Sequence, residues 1–118
     1  MPADVGSIVH PWYRGVHEWK VKKIAKLDKP LDYHDSKLGN VQYDPKIMLL
    51  DSPKGEVLWF PYWLSTDNTK GKMKWGQRPP VLEEGVFFKL LKDAIDKDIF
   101  NKQFLRDLQK EIETKLAH

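Results

Sequence analysis

Apolar positions along this chain change their spacing once, at Pro79-Pro80. Before that pair they come as short runs or alternate with polar residues, the period-two signature of strands. After it they recur every three to four residues, the signature of helices. The clearest local signal lies upstream of the change. Residues 46–51, with Ile47-Met48-Leu49-Leu50 inside them, and residues 56–65 flank Ser52-Pro53-Lys54-Gly55. Proline early and glycine late in a short link is turn chemistry, so the two flanks read as a β-hairpin. Both arms are almost continuously apolar, as strands covered on both faces are. Pro61 has no N–H to give to a ladder, which places it at a bulge or on an edge.

Residues 16–27 fit two patterns. As a helix, Val16, Trp19, Ile24 and Leu27 share a face that Lys20 and Lys23 interrupt. As a strand, Trp19, Val21, Ala25 and Leu27 alternate, and a bulge near Lys22-Lys23 brings Ile24 into phase. The strand is the preferred reading, and Pro30 ends either version. Residues 1–15, broken by Pro2, Gly6, Pro11 and Gly15, read as an irregular arm. Residues 28–45 read as a loop with one short strand near 41–43. Turn formers then fill residues 67–71, and Lys72-Met73-Lys74-Trp75 alternates. This suggests a second hairpin with Lys70, Lys72 and Lys74 on one face and Met73 and Trp75 on the other.

Downstream, Val86, Phe87, Leu90, Leu91, Ala94 and Ile95 form a helical stripe, with Glu83 and Glu84 near the positive N-terminal end. Asn101 is a predicted N-cap, Phe100 and Leu105 a hydrophobic staple, and Leu105, Leu108, Ile112 and Leu116 a second stripe expected to be buried. A short link between two such helices implies an antiparallel pair. The expected fold is therefore α+β: a small antiparallel β-sheet of about four strands followed by a C-terminal α-helical hairpin packed on one face. It forms a single domain over 1–118, with an aromatic, mainly β part at 1–80 and a two-helix part at 81–118.

Composition narrows the class. A hydrophobic share of 41% and a charged share of 31% support one core and exclude a disordered chain. The chain has no cysteine. Disulfides, thiolate metal sites and a cysteine nucleophile are thereby excluded, and a cytoplasmic setting is favoured. The longest uncharged apolar run, residues 57–64, is far short of the roughly 20 residues of a spanning helix. Residues 1–8 lack the basic start and hydrophobic stretch of a signal peptide, so no membrane partner is expected. The net charge of +3 is uneven: residues 1–80 carry 13 Lys/Arg against 9 Asp/Glu, and residues 81–118 carry 7 against 8. The basic excess lies wholly in the half that also holds all five Trp and all four Tyr.

Four constellations carry candidate chemistry. Lys70, Lys72, Lys74 and Arg78 surround Trp75 with no acid among them, a pattern that can grip phosphates and stack a base or sugar. The competing reading is a solvated edge whose lysines block strand-to-strand aggregation while Trp75 faces the core. Trp59, Phe60, Tyr62 and Trp63 project rings to both faces of a strand. One set enters the core and the other meets a ligand or a second subunit. His10-Pro11-Trp12-Tyr13-Arg14, with His17, reads as an arm packing its rings onto the domain or as a partner contact. Asp32, His34 and Asp35, with His10 and His17, are the residues a small His/Asp enzyme or metal site would use. Their spacing matches no ligand motif, so neither metal nor cofactor is expected. No phosphate-binding glycine loop or nucleophile elbow occurs, and none of the four Ser sits in a nucleophile setting. The expected function is a small non-catalytic binding module with a basic, aromatic surface for an anionic partner, nucleic acid or acidic protein. The alternative is a homo-oligomeric structural or adaptor protein using an aromatic sheet face, with a His/Asp-based enzyme third.

Overall fold

The computed structural model describes residues 3–69, 74–76 and 80–118. Its central element is a 14-residue strand, β4 (Gly39–Ser52), in which residues 45–50 are all buried. An extended segment buried at every position needs cover on both faces and neighbours on both edges. On one edge lie β5 (Gly55–Trp59) and β6 (Tyr62–Ser65), paired with β4 in a single antiparallel register from Ser52↔Gly55 to Gln42↔Ser65. Pro53-Lys54 make the turn, and Gly55 takes the left-handed φ of +114° that side chains disfavour. Pro61 interrupts this ladder without shifting it. The Lys46 N–H donates to the Pro61 carbonyl at 2.9 Å, while the reciprocal bond has no donor. Pro61, expected at a bulge or on an edge, thus marks a missing hydrogen bond in an unbroken register.

The other edge of β4 is shared by β2 (Trp19–Lys26) and β3 (Leu31–Asp35). The β2 register shifts between Val21 and Lys23, the place where the apolar phase requires a bulge. As a result Val21 lies opposite Leu50 and Ala25 opposite Ile47, so the two serve opposite faces of the sheet. Edge strands β1 (Ile8–Val9), on β2, and β7 (Lys74–Trp75), on β6, bring the curled antiparallel sheet to seven strands among the described residues. About four were expected. The expected irregular arm supplies β1, and the expected loop at 28–45 is a hairpin of β3 with the first half of β4. In that hairpin the Asp35 carboxylate accepts from Lys37 N at 2.8 Å and Leu38 N at 2.9 Å, which holds its pKa below the ordinary carboxylate range.

Each face has its own core. On one, Ala25, Ile47 and Leu49 pack under Leu90 and Ala94 of α1 (Glu84–Asp96), with Ile99 and Phe100 from the segment beyond it. On the other, Trp19, Val21, Met48 and Leu50 pack under Val9 and Ala3 of the N-terminal arm, beside Val57, Trp59 and Trp75. Polar ties fix the end of α1 to β2. Asp93 accepts from Lys26 N at 2.9 Å and from Lys97 Nζ at 2.8 Å, and Lys97 Nζ also donates to the Ile24 carbonyl. Desolvation pushes the Asp93 carboxyl up, but these bonds outweigh it and hold the pKa below its usual value.

The second helix, α2 (Lys102–Leu116), begins as expected, with Asn101 Oδ1 accepting from Phe104 N at 2.8 Å. Its apolar stripe is not buried. No residue of α2 is buried, Ile112 is 49% exposed and Leu116 is 80% exposed. Only its start, through Leu105, packs against the core. The expected packed helical hairpin is therefore corrected: of the two helices, α1 covers a face of the sheet and α2 only begins against it. Ile99 and Phe100 fill the remaining space, and Asp98, in left-handed geometry at φ 56°, lies in the turn before α2. The radius of gyration of 16.1 Å agrees with a projecting element, since a compact domain of this length has about 13–14 Å. Among the described residues no helix is long and apolar enough to cross a membrane.

Two truncations separate these helices. Leu90→Ala should destabilise by about 2–5 kcal/mol, because it empties a buried site between α1 and the sheet. Leu116→Ala should stay within about 0.5 kcal/mol. Urea unfolding at low protein concentration measures both, and a comparable loss for the two would place α2 in the core.

Candidate binding surface

Three indoles organise the edge of the sheet. The pairing Trp63↔Trp75 across β6 and β7 puts both rings on one face, and their centroids stack at 3.5 Å. Trp59, four residues before Trp63 and so on the same face, meets Trp75 at 5.1 Å. The short strand β7 is held by this cluster, because a two-residue ladder supplies few hydrogen bonds of its own. Trp75 is accordingly half-buried, with one ring face spent on Trp63. Lys74 points to the opposite face, across from Leu64, and is exposed. Of the basic set anticipated from the sequence, Lys74 and Trp75 fall among the described residues, whereas Lys70, Lys72 and Arg78 lie outside them.

The rings of 59–63 do alternate between faces. Trp63 is 4% exposed within the indole cluster. Tyr62 is buried on the helix-bearing face, 4.8 Å from the Tyr43 ring. Phe60, on that same face, is 43% exposed and lines a small cleft of about 300 Å³ with Pro61, Pro80 and Phe87. Most of this aromatic surface is used within the chain, and Phe60 is its open member. The Tyr43 hydroxyl accepts from Val81 N at 3.3 Å, and burial pushes its pKa up despite that bond.

Close approach explains Gly76. Its N–H donates to the Tyr62 carbonyl at 2.8 Å, and a Cβ built on it would lie 1.7 Å from Tyr62 Cε2.

A charged pair shares the indole face. Lys46 is only 6% exposed, and its Nζ lies 3.0 Å from Asp44 Oδ2. Asp44 is the ladder partner of Trp63. The Trp63 Nε1–H is buried with no hydrogen-bond partner among the described residues. The sequence contained a signal for this pair: Asp44 and Lys46 are two apart in a strand, hence on one face, at the start of a fully apolar run.

The remaining candidates stay apart. Trp12, 72% exposed, stacks on His17 at 5.2 Å, and Arg14 lies over the Tyr13 ring at 5.2 Å. Arg14 and Gly15 both take left-handed φ, 53° and 76°, and turn Tyr13 back onto Val16. His34 Nδ1 lies 3.3 Å from Asn40 Oδ1 on the β3–β4 hairpin, and Asp35 serves its turn. Among the described residues no group of three His, Asp or Glu side chains could hold a metal ion. No protein-family model, curated protein or solved structure matches this chain.

Two substitutions test this surface. Gly76→Ala should cost about 1–3 kcal/mol and displace the Tyr62 ring, read by thermal unfolding and Tyr62 ring chemical shifts. A stability equal to the parent would show that the ring is not held there. Asp44→Ala should cost about 3 kcal/mol by leaving Lys46 buried without its counter-charge, while Asp44→Leu with Lys46→Met should recover most of it. A neutral Asp44→Ala would mean that Lys46 reaches water.

Proposed function

We propose that this protein is a non-catalytic binding module whose basic sheet edge engages an anionic partner, with nucleic acid ahead of acidic protein. The observation that carries this reading is the Trp59–Trp63–Trp75 cluster, which fixes β7 while its neighbouring side chain Lys74 stays exposed. In sequence, Lys70 and Lys72 lie four and two residues before that anchored strand and Arg78 three after it. A rigid mount lowers the ordering cost when cations meet a partner. The local excess of positive charge in residues 1–80 favours phosphates.

With one face of Trp75 occupied by Trp63, charge contributes more than base stacking. Binding is then weakly sequence-dependent and strongly salt-dependent. A cytoplasmic setting belongs to the same reading and rests on the absence of cysteine.

Fluorescence anisotropy with a mixed-sequence single-stranded oligonucleotide and with total RNA tests it. Neutralising about three or four phosphates predicts an affinity that falls roughly ten- to fifty-fold between about 50 and 200 mM salt. The quadruple variant Lys70→Gln, Lys72→Gln, Lys74→Gln, Arg78→Gln should abolish most of that salt dependence. No binding of either polymer at low salt would overturn the nucleic-acid reading. Binding unchanged in the variant would overturn the assignment to this edge.

A further inference from the structure

The fold leaves the apolar stripe of α2 without a role. A helix of 15 residues is marginal by itself in water and normally depends on burying an amphipathic face. α2 buries none of its residues, yet Leu105, Leu108, Ile112 and Leu116 form a continuous stripe along it at helical spacing.

The charges beside that stripe indicate what covers it. At 3.6 residues per turn, one flank carries Lys102 and Arg106 in its first half and Glu113 in its second. The other flank carries Glu111 followed by Lys115, while Asp107 lies on the side of the helix away from the stripe. Each flank therefore reverses sign along the helix, in opposite senses. Among the described residues none of these side chains is in an ion pair; Asp107 and Glu113 only accept hydrogen bonds from Gln103 and Gln109.

We propose that α2 is a self-association surface through which two copies of this chain pair antiparallel about a two-fold axis. In that arrangement Leu108 of one copy meets Ile112 of the second, and Leu105 meets Leu116. Each flank runs against its own reverse, so Arg106 faces Glu113 of the second copy, a contact made twice by symmetry. Antiparallel pairing also sets the helix dipoles head to tail. The balance of four Lys/Arg and three Asp/Glu on α2 gives no basic face for an anionic membrane. This interface stands apart from the anion-binding edge and does not depend on it.

Sedimentation equilibrium of the full chain, from about 1 to about 200 µM, should show a reversible monomer–dimer equilibrium, as a small interface gives. Ile112→Asp should leave only monomer with an unchanged near-ultraviolet spectrum, since Ile112 lies beyond the start of α2 that packs against the core. Arg106→Glu and Glu113→Arg should each weaken dimerisation at least tenfold, and the double exchange should restore it to within a few-fold. A monomer throughout the concentration range would overturn the proposal, as would a dimer indifferent to Ile112→Asp. Failure of the double exchange to restore pairing would overturn the antiparallel arrangement. Co-sedimentation with anionic phospholipid vesicles by a strictly monomeric protein, lost in Ile112→Asp, would assign the stripe to a membrane surface instead.

Discussion

Residues 45–50 are extended and buried at every position, so a chain of 118 residues must cover two faces of one sheet. The rest of the architecture answers that constraint. Ile47 and Leu49 need α1, and Met48 and Leu50 need the N-terminal arm. The bulge in β2 lets one strand serve both faces, because it sends Val21 to one and Ala25 to the other. Even the irregular-looking first residues are structural, since Val9 and Ala3 exclude water from the second face.

The same constraint shapes the candidate binding edge. Carrying the sheet beyond β6 adds only a two-residue strand, too short to hold by ladder bonds, and stacked indoles fix it instead. The indoles that looked available for a ligand thus pack mainly on one another and hold β7, whose Lys74 stays exposed. Their face also holds the buried Asp44–Lys46 pair and an unpartnered indole N–H, an unusual concentration of polar cost for a core.

Much of this was legible in the sequence where one local pattern decides the outcome. The hairpin around Pro53-Lys54, the phase slip at Lys22-Lys23 and the Asn101 cap each follow from a few adjacent residues. The β3–β4 hairpin did not show itself. Asp32 and His34 point to solvent, and the polar residues of this half-exposed strand resemble those of a loop. The burial of α2 was overstated for a different reason. Periodicity at Leu105, Leu108, Ile112 and Leu116 proves an apolar face but does not say which surface covers it. Trp75 lay between these cases. Its alternation with Lys74 was readable, whereas its contact with Trp63 depends on pairing between strands distant in sequence.

If two-faced burial of β4 organises the fold, local stability should follow it. Native-state amide hydrogen exchange of the monomer at low concentration measures this directly. The account predicts that Ile47, Met48, Leu49 and Leu50 exchange only through global unfolding, while α2 amides beyond Leu108 exchange orders of magnitude faster. Protection of those α2 amides equal to that of Ile47, independent of protein concentration, would contradict it.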